Sequence, residues 1–328
     1  MLLLPIVHIQ CIIQTEKMRN MLKSKDLLGL QNITREEIEL IFDTTAEMKQ
    51  IVISDVKNAS HLKGKSIVTL FYENSTRTRL SFELAAKYLG GVAANIASSG
   101  SSVSKGEVLL DTGKTIDMMG TDVIIIRHNM SGAPHLLAKH VDASVINAGD
   151  GMNEHPTQAL LDMFTMQERF GKLDGLKVSI VGDIYHSRVA RSNIWGLTKM
   201  GAEVTVAGPA TVIPPGIEET GVKVFTNVSE AIEGADVVMG LRIQLERQKK
   251  GIFPTEREYA RFFGVDVDKL SNANKDYIVM HPGPVNRGLE FMSTVVDSEQ
   301  SVINEQVTNG TAVRMALLHL LTSKEVQG

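Results

Sequence analysis

Asn74-Ser75-Thr76-Arg77-Thr78 is the stretch of this chain best equipped for chemistry. Three hydroxyls and a planar cation crowd one short turn. Lys65–Tyr72 before it (KSIVTLFY) has the β-branched pattern of a buried strand. Leu80–Leu89 after it has helical apolar spacing and stops at Gly90-Gly91. The turn therefore opens a helix, where backbone amides lack partners and the helix dipole is positive. Amides, hydroxyls and a guanidinium converging at one helix start suit a phosphate. A plain cap would need one such residue. The turn holds no glycine and no GxxxxGK[ST] pattern, which excludes a P-loop or dinucleotide loop.

Further polar residues stand where strands end. Arg127 follows the apolar run of Asp122–Arg127, the position at which open α/β sheets place ligand groups. Ser144–Asn147 and a glycine turn lead to His155-Pro156-Thr157-Gln158, which opens a helix with His155 and Gln158 on one face. His155 could also serve as a structural cap. Ser98–Lys105 (SSGSSVSK) reads equally as a linker or as a lid that brings Lys105 over a phosphate.

Leu176–Ala207 has strand, helix and strand in the order of a dinucleotide domain. Its turn carries one glycine, Gly182, and no acid follows the second strand, which excludes a nicotinamide site. Arg188 at that helix start suits a carboxylate instead. Arg242 and Gln244 alternate after the strand Asp236–Leu241 and share a face while the chain stays extended. The prolines of His281-Pro282-Gly283-Pro284 stiffen a loop after Tyr277–Met280 and leave carbonyls to present.

Ser75-Thr76-Arg77-Thr78-Arg79 resembles the carbamoyl phosphate signature of the aspartate/ornithine carbamoyltransferase family. Ser101–Glu107 (SSVSKGE), Arg127-His128, His155–Gln158 and His281–Pro284 continue the match in order. Together they are similar to aspartate transcarbamoylase catalytic chains from about Leu27 onward, and SSVSKGE turns the Gly/Ser loop toward the lid reading. The resemblance implies transfer of a carbamoyl group from carbamoyl phosphate to L-aspartate, in pyrimidine synthesis. It assigns Ser75, Thr76, Arg77, Thr78, Ser101, Lys105, Arg127, His155, Gln158, Gly283 and Pro284 to carbamoyl phosphate. It assigns Lys105, Arg188, Arg242 and Gln244 to aspartate. Arg77, Thr78, Lys105, Arg127, His155 and Gln158 would be the catalytic set. It also implies a homotrimer, with Ser101 and Lys105 given to the neighbouring subunit's site, and leaves a regulatory chain or dihydroorotase as possible partners. Ornithine or another amine is the rival acceptor. The ornithine branch has a cysteine in the loop at His281–Pro284, and this chain has none after Cys11. A non-catalytic anion-binding homologue would not need Arg77, Lys105, Arg127, His155 and Gln158 together.

Alternating strands and helices predict an α/β chain of two domains, each a mostly parallel sheet flanked by helices, with the site in the cleft between them. The domains are expected over 18–158, completed by a C-terminal helix 305–328, and over 159–304, with Gly171–Gly175 as a hinge. Residues 1–17 are expected to be an appendage, with Met18 or Met21 as the alternative start. The apolar Met1–Gln14 is too short to span a bilayer and lacks a basic leader. A net charge of −4 with no long basic run argues against nucleic acid, so any positive field must be local. One cysteine excludes an internal disulfide and suits a cytoplasmic chain. The histidines show no close ligand pairing, so neither metal nor cofactor is expected.

Overall fold

The β-branched runs build two parallel sheets. The computed structural model describes residues 22–97, 106–243 and 255–323. Ser101, Lys105, Gln244 and the expected appendage 1–17 lie outside the described residues, as does the end of the helix expected over 305–328. Helix α1 (Arg35–Ile53) opens with a reciprocal capping box between Thr34 and Glu37, as its sequence predicts. Then come β1 (Ser66–Phe71), α2 (Thr76–Tyr88), β2 (Val92–Ala97), α3 (Leu109–Met118), β3 (Val123–His128), α4 (Ala133–Ala138) and β4 (Ser144–Asp150). These strands lie in the order β2-β1-β3-β4, all parallel. All seven residues of β4 are buried, the mark of a strand covered on both faces.

Helix α5 (Pro156–Phe170) leads to the second sheet. There follow β5 (Lys177–Val181), α6 (Arg188–Lys199), β6 (Glu203–Ala207), β7 (Lys223–Phe225), α7 (Val228–Ile232), β8 (Val237–Gly240), α8 (Glu256–Phe262), α9 (Val267–Leu270) and β9 (Ile278–Met280). Their order is β7-β6-β5-β8-β9, again all parallel. Short α10 (Ser293–Val296) precedes α11 (Ile303–Thr322).

This topology decides where a ligand can sit. The first sheet runs outward from β1 to β2, then resumes with β3 on the other flank of β1. The second runs outward from β5 to β6 and β7, then resumes with β8 on the other flank of β5. Loops diverge at each reversal and leave a crevice at the C-terminal strand ends. The hydroxyl-rich turn follows β1, Arg127 ends β3, Arg188 follows β5 and Arg242 follows β8. Both crevices thus carry the residues singled out by sequence.

The boundary placed at 158/159 falls inside α5, which continues to its left-handed C-cap at Gly171 (φ 76°). The last helix, expected over 305–328, begins at Ile303 and is buried continuously from Asn309 to Leu318. It fills the layer between α1, α2 and α5, so it needs no polar face there. Helix α8 keeps most of its residues at the surface and buries Tyr259, 2% exposed, against Ile243 and Leu289. One continuous core runs from Ile67 and Val123 through Leu160, Met163 and Leu317 to Val178 and Val204, so the helices join both sheets. Among the described residues no helix is long and apolar enough to cross a membrane. Nor does any group of three or more His, Cys, Asp and Glu there suit a metal ion.

Candidate active site

Two helix starts in the cleft are built differently. Ser187 caps α6 in the usual way, accepting from the Ala190 amide. Ser75 holds the N-cap position of α2 in an extended conformation, and its side chain makes no capping bond. The first amides of α2 therefore remain available at the C-terminal end of β1. Thr78 is buried beneath them, while Thr76 and Arg77 are exposed. Gly283, at φ +65°, lies against Arg77: a Cβ there would stand 3.0 Å from the guanidinium carbon. Partial burial, and then the charge of Arg242, lower the Arg77 pKa. An anion between these two cations would relieve that stress.

Glu73, which the sequence reading passed over, joins the two sheets. Its Oε2 accepts from Arg188 Nη2 at 2.7 Å and lies 3.4 Å from Arg127 Nε. Arg127 also donates through Nη1 to the Ala148 carbonyl at 3.2 Å. Arg188 is 4% exposed. Gly149 makes room for it: at φ +115°, a Cβ would come 2.8 Å from its guanidinium.

His155 begins α5 without capping it. Its amide donates to Ser192 Oγ at 2.9 Å, and that hydroxyl donates to Glu154 Oε2 at 2.8 Å. Glu154 also accepts from the Leu30 amide at 2.7 Å, so a buried relay fixes the helix start. Burial, followed by the charges of Arg127, Arg188 and Arg314, holds the His155 imidazole well below its usual pKa. It is thus a neutral hydrogen-bonding group near pH 7. Gln158, one turn along, donates from Nε2 to Asp162.

The loop after β9 closes the cleft. The His281 amide donates to Gln306 Oε1 at 3.0 Å, and His281 Nδ1 accepts from the Gly283 amide at 2.9 Å. Burial and then Arg77 and Arg242 push the His281 pKa down to about 3. Glu290 accepts from the Ile243 amide at 2.7 Å and from the Asn286 amide at 2.7 Å. It thereby ties the strand end bearing Arg242 to the loop bearing Gly283 and Pro284.

These elements enclose about 740 Å³. Ser75, Thr76, Arg77, Thr78, Arg127, His155, Gln158, Arg188, Arg242, Gly283 and Pro284 all line it. Of the candidate residues, Ser101, Lys105 and Gln244 are the ones not described. Glu73, Gln306 and Arg314 line the cleft as well, without a signal singled out in the sequence, and His281 of the His281–Pro284 loop joins them. Arg314 had left a signal, a lone charge in the apolar run Thr311–Leu321. Among the described lining residues, five arginines face one acid. In a chain of net charge −4 that is a strongly local positive field, suited to an anion with several charges.

Known proteins are similar to this chain in sequence and fold. Residues 25–168 match the carbamoyl-P binding domain of aspartate/ornithine carbamoyltransferases, and residues 174–321 match the Asp/Orn binding domain. The aspartate carbamoyltransferase catalytic subunit of Ruminiclostridium cellulolyticum is 72% identical over 305 residues, covering 93% of this chain and 97% of that protein. Aspartate transcarbamoylase from Trypanosoma cruzi, solved with carbamoyl aspartate and phosphate, superposes with a TM-score of 0.82 at 28% identity, covering 91% and 96% of the two chains. Ornithine carbamoyltransferase from Pyrococcus furiosus superposes at 0.81 with 32% identity, covering 92% and 98%. Backbone shape alone does not separate the two acceptors. The chain belongs to the aspartate/ornithine carbamoyltransferase family.

Proposed function

We propose that this chain transfers the carbamoyl group of carbamoyl phosphate to the amine of L-aspartate, yielding N-carbamoyl-L-aspartate and phosphate for pyrimidine synthesis. The observation that carries the reading is the cleft's charge: among the described lining residues there are five arginines and one acid, Glu73, already engaged by two of them. A phosphate and a dicarboxylate are the complement of such a site. A second substrate amine, as in ornithine, would need a carboxylate partner there.

In the proposed assignment the uncapped start of α2, with Ser75, Thr76, Arg77 and Thr78, holds the phosphate. Thr78, Arg127 and neutral His155 donate to the carbonyl oxygen as it gains charge. Gln158 and the carbonyls of Gly283 and Pro284 accept from the carbamoyl NH₂. Arg188 and Arg242 clamp the aspartate carboxylates, with Gln244 and Lys105 completing the set. The amine lone pair attacks the carbonyl carbon, the bond from that carbon to the phosphate oxygen breaks, and the amine proton leaves with the phosphate. Near pH 7 a neutral, low-pKa His155 suits hydrogen bonding better than proton capture. The acceleration comes from positioning and preorganised charge.

Ser101 and Lys105 are assigned to a neighbouring subunit of a homotrimer. Two observations support this. No lysine lines the cleft among the described residues. Exposed Leu80, Val92, Val108, Met118 and Met119 lie on or beside the elements that flank residues 98–105, apolar surface that a second copy would cover. A cytoplasmic setting suits the single cysteine.

Phosphate release from carbamoyl phosphate, measured with aspartate and with ornithine, tests the reading. Release with aspartate alone is expected. Ornithine-dependent release overturns the acceptor, and release with neither overturns catalysis.

A further inference from the structure

Gln158 ends in a planar amide whose two faces of chemistry are opposite. Its oxygen accepts and its nitrogen donates, and a half-turn of the amide exchanges them. In a cleft dominated by arginine donors, an acceptor is scarce. Which end of Gln158 faces the cleft therefore decides what it can bind.

One turn further along α5, Asp162 settles the orientation. It is fully buried. Its Oδ1 accepts from Gln158 Nε2 at 2.9 Å and from Gln306 Nε2 at 2.7 Å. Its Oδ2 accepts from Asn193 Nδ2 at 2.9 Å. An ionised carboxylate only accepts, so each amide facing it must turn its nitrogen inward. The three amides come from α5, α11 and α6, so Gln158 is fixed by all three helices. Gln306 passes its own oxygen to the His281 amide, which shows the same polarity imposed on a second side chain. Buried Arg314 supplies a nearby positive charge that favours the ionised form. Desolvation pushes Asp162 up to about 6, which still leaves it mostly ionised at neutral pH.

We propose that Asp162 is a positioning residue that locks the Gln158 amide with its oxygen toward the cleft, and so selects an acyl phosphate bearing NH₂ over one bearing a methyl group. This rests on the carbamoyl-transfer reading. Carbamoyl phosphate and acetyl phosphate have the same shape and differ at that one group. With the oxygen locked outward, NH₂ gains a hydrogen bond and methyl leaves the oxygen unpaired. In Asp162→Asn the side chain at 162 can donate, Gln158 can reverse, and the preference is lost.

The test compares wild type, Asp162→Asn, Gln158→Ala and the double variant. For each, kcat/KM for carbamoyl phosphate is measured with saturating aspartate, together with inhibition constants for acetyl phosphate and inorganic phosphate. Asp162→Asn should lose about 10- to 100-fold in kcat/KM for carbamoyl phosphate, the scale of one hydrogen bond left unmade. Inorganic phosphate should bind unchanged, and acetyl phosphate should bind as well as before or better. The double variant should be no worse than Gln158→Ala, because Asp162 acts through that residue. Equal losses for all three ligands, or full additivity in the double variant, would make Asp162 a packing residue and overturn the proposal. The wild-type enzyme crystallised with phosphonoacetamide answers independently if Asp162→Asn does not fold. Gln158 must keep its bond to Asp162 and place its other end beside the ligand nitrogen; a ligand nitrogen seated elsewhere overturns the proposal. An inactive wild type would sink the carbamoyl-transfer reading itself, a different failure from an active wild type without coupling.

Discussion

Glu73→Gln tests whether this lining acid braces the arginines or competes with substrate for them. The substitution keeps the size and removes the charge. The contact to Arg188 is short, 2.7 Å, with side chains 5% and 16% exposed; the contact to Arg127 is longer, 3.4 Å. A charge-assisted hydrogen bond contributes about 1.5–3 kcal/mol, and glutamine retains a neutral version of it. The longer contact adds little. A net loss of about 1 kcal/mol follows, which is about 5-fold in kcat/KM. Its direction follows from placement. Arg127 belongs to a strand of the first sheet and Arg188 to a helix of the second. Glu73 is the carboxylate that both share, so removing its charge loosens the geometry of two groups at once. Steady-state rates with carbamoyl phosphate and aspartate, alongside thermal unfolding, measure the outcome. The aspartate KM should rise and kcat should fall while the fold survives. If Glu73 merely occupied cations that aspartate needs, the aspartate KM would drop instead. That result, or a kcat/KM within twofold of wild type, would refute the brace.

Arg77→Ala should abolish most activity, by the roughly 3–4 kcal/mol of a lost oxyanion-type contact, while circular dichroism stays native. A wild-type rate would show that the turn after β1 is not the phosphate site. Arg242→Ala should weaken aspartate far more than carbamoyl phosphate in calorimetric titration; equal losses would contradict its assignment. Arg77→Ala and Lys105→Ala homotrimers, each nearly inactive, should recover about a quarter of wild-type activity when dissociated and mixed, since about three-quarters of random trimers are mixed and each has one intact site of three. No recovery would remove the shared site. Asp162 has a folded pKa raised by burial from 3.8 to about 6, so its protonated form favours the folded state. That contribution is complete below about pH 4 and lost as pH rises through 6, a change of about 3 kcal/mol. The urea-unfolding free energy of Asp162→Asn relative to wild type should therefore climb by about that amount from pH 4 to 7, and a flat difference would show an ordinary carboxylate.

The sequence exposes some parts of this site better than others, for physical reasons. Continuous β-branched runs such as Asp122–Arg127 have few alternatives to a buried parallel strand, and residues at their C-terminal ends face a crevice by topology alone. That is why Arg77, Arg127, His155, Arg188 and Arg242 were all recoverable before any coordinates. Short elements carry no such periodicity: α4 spans six residues and β7 three, too few for a pattern to repeat. Glu73 was hidden for another reason. One acid beside a cationic turn looks like solvated charge until the distant Arg188 is brought 2.7 Å away. Asp162 was hidden more deeply, inside the apolar run Ala159–Phe164, where only its three amide partners explain a buried carboxylate. The groups assigned to ligand sit at or just after strand ends, where the local pattern reveals them. The groups that orient those residues depend on helices distant in sequence, and their meaning exists only once α5, α6 and α11 have packed. A site read from sequence alone is therefore richer in contacts than in the buried charges that aim them, and Asp162 and Glu73 are where that difference can be measured.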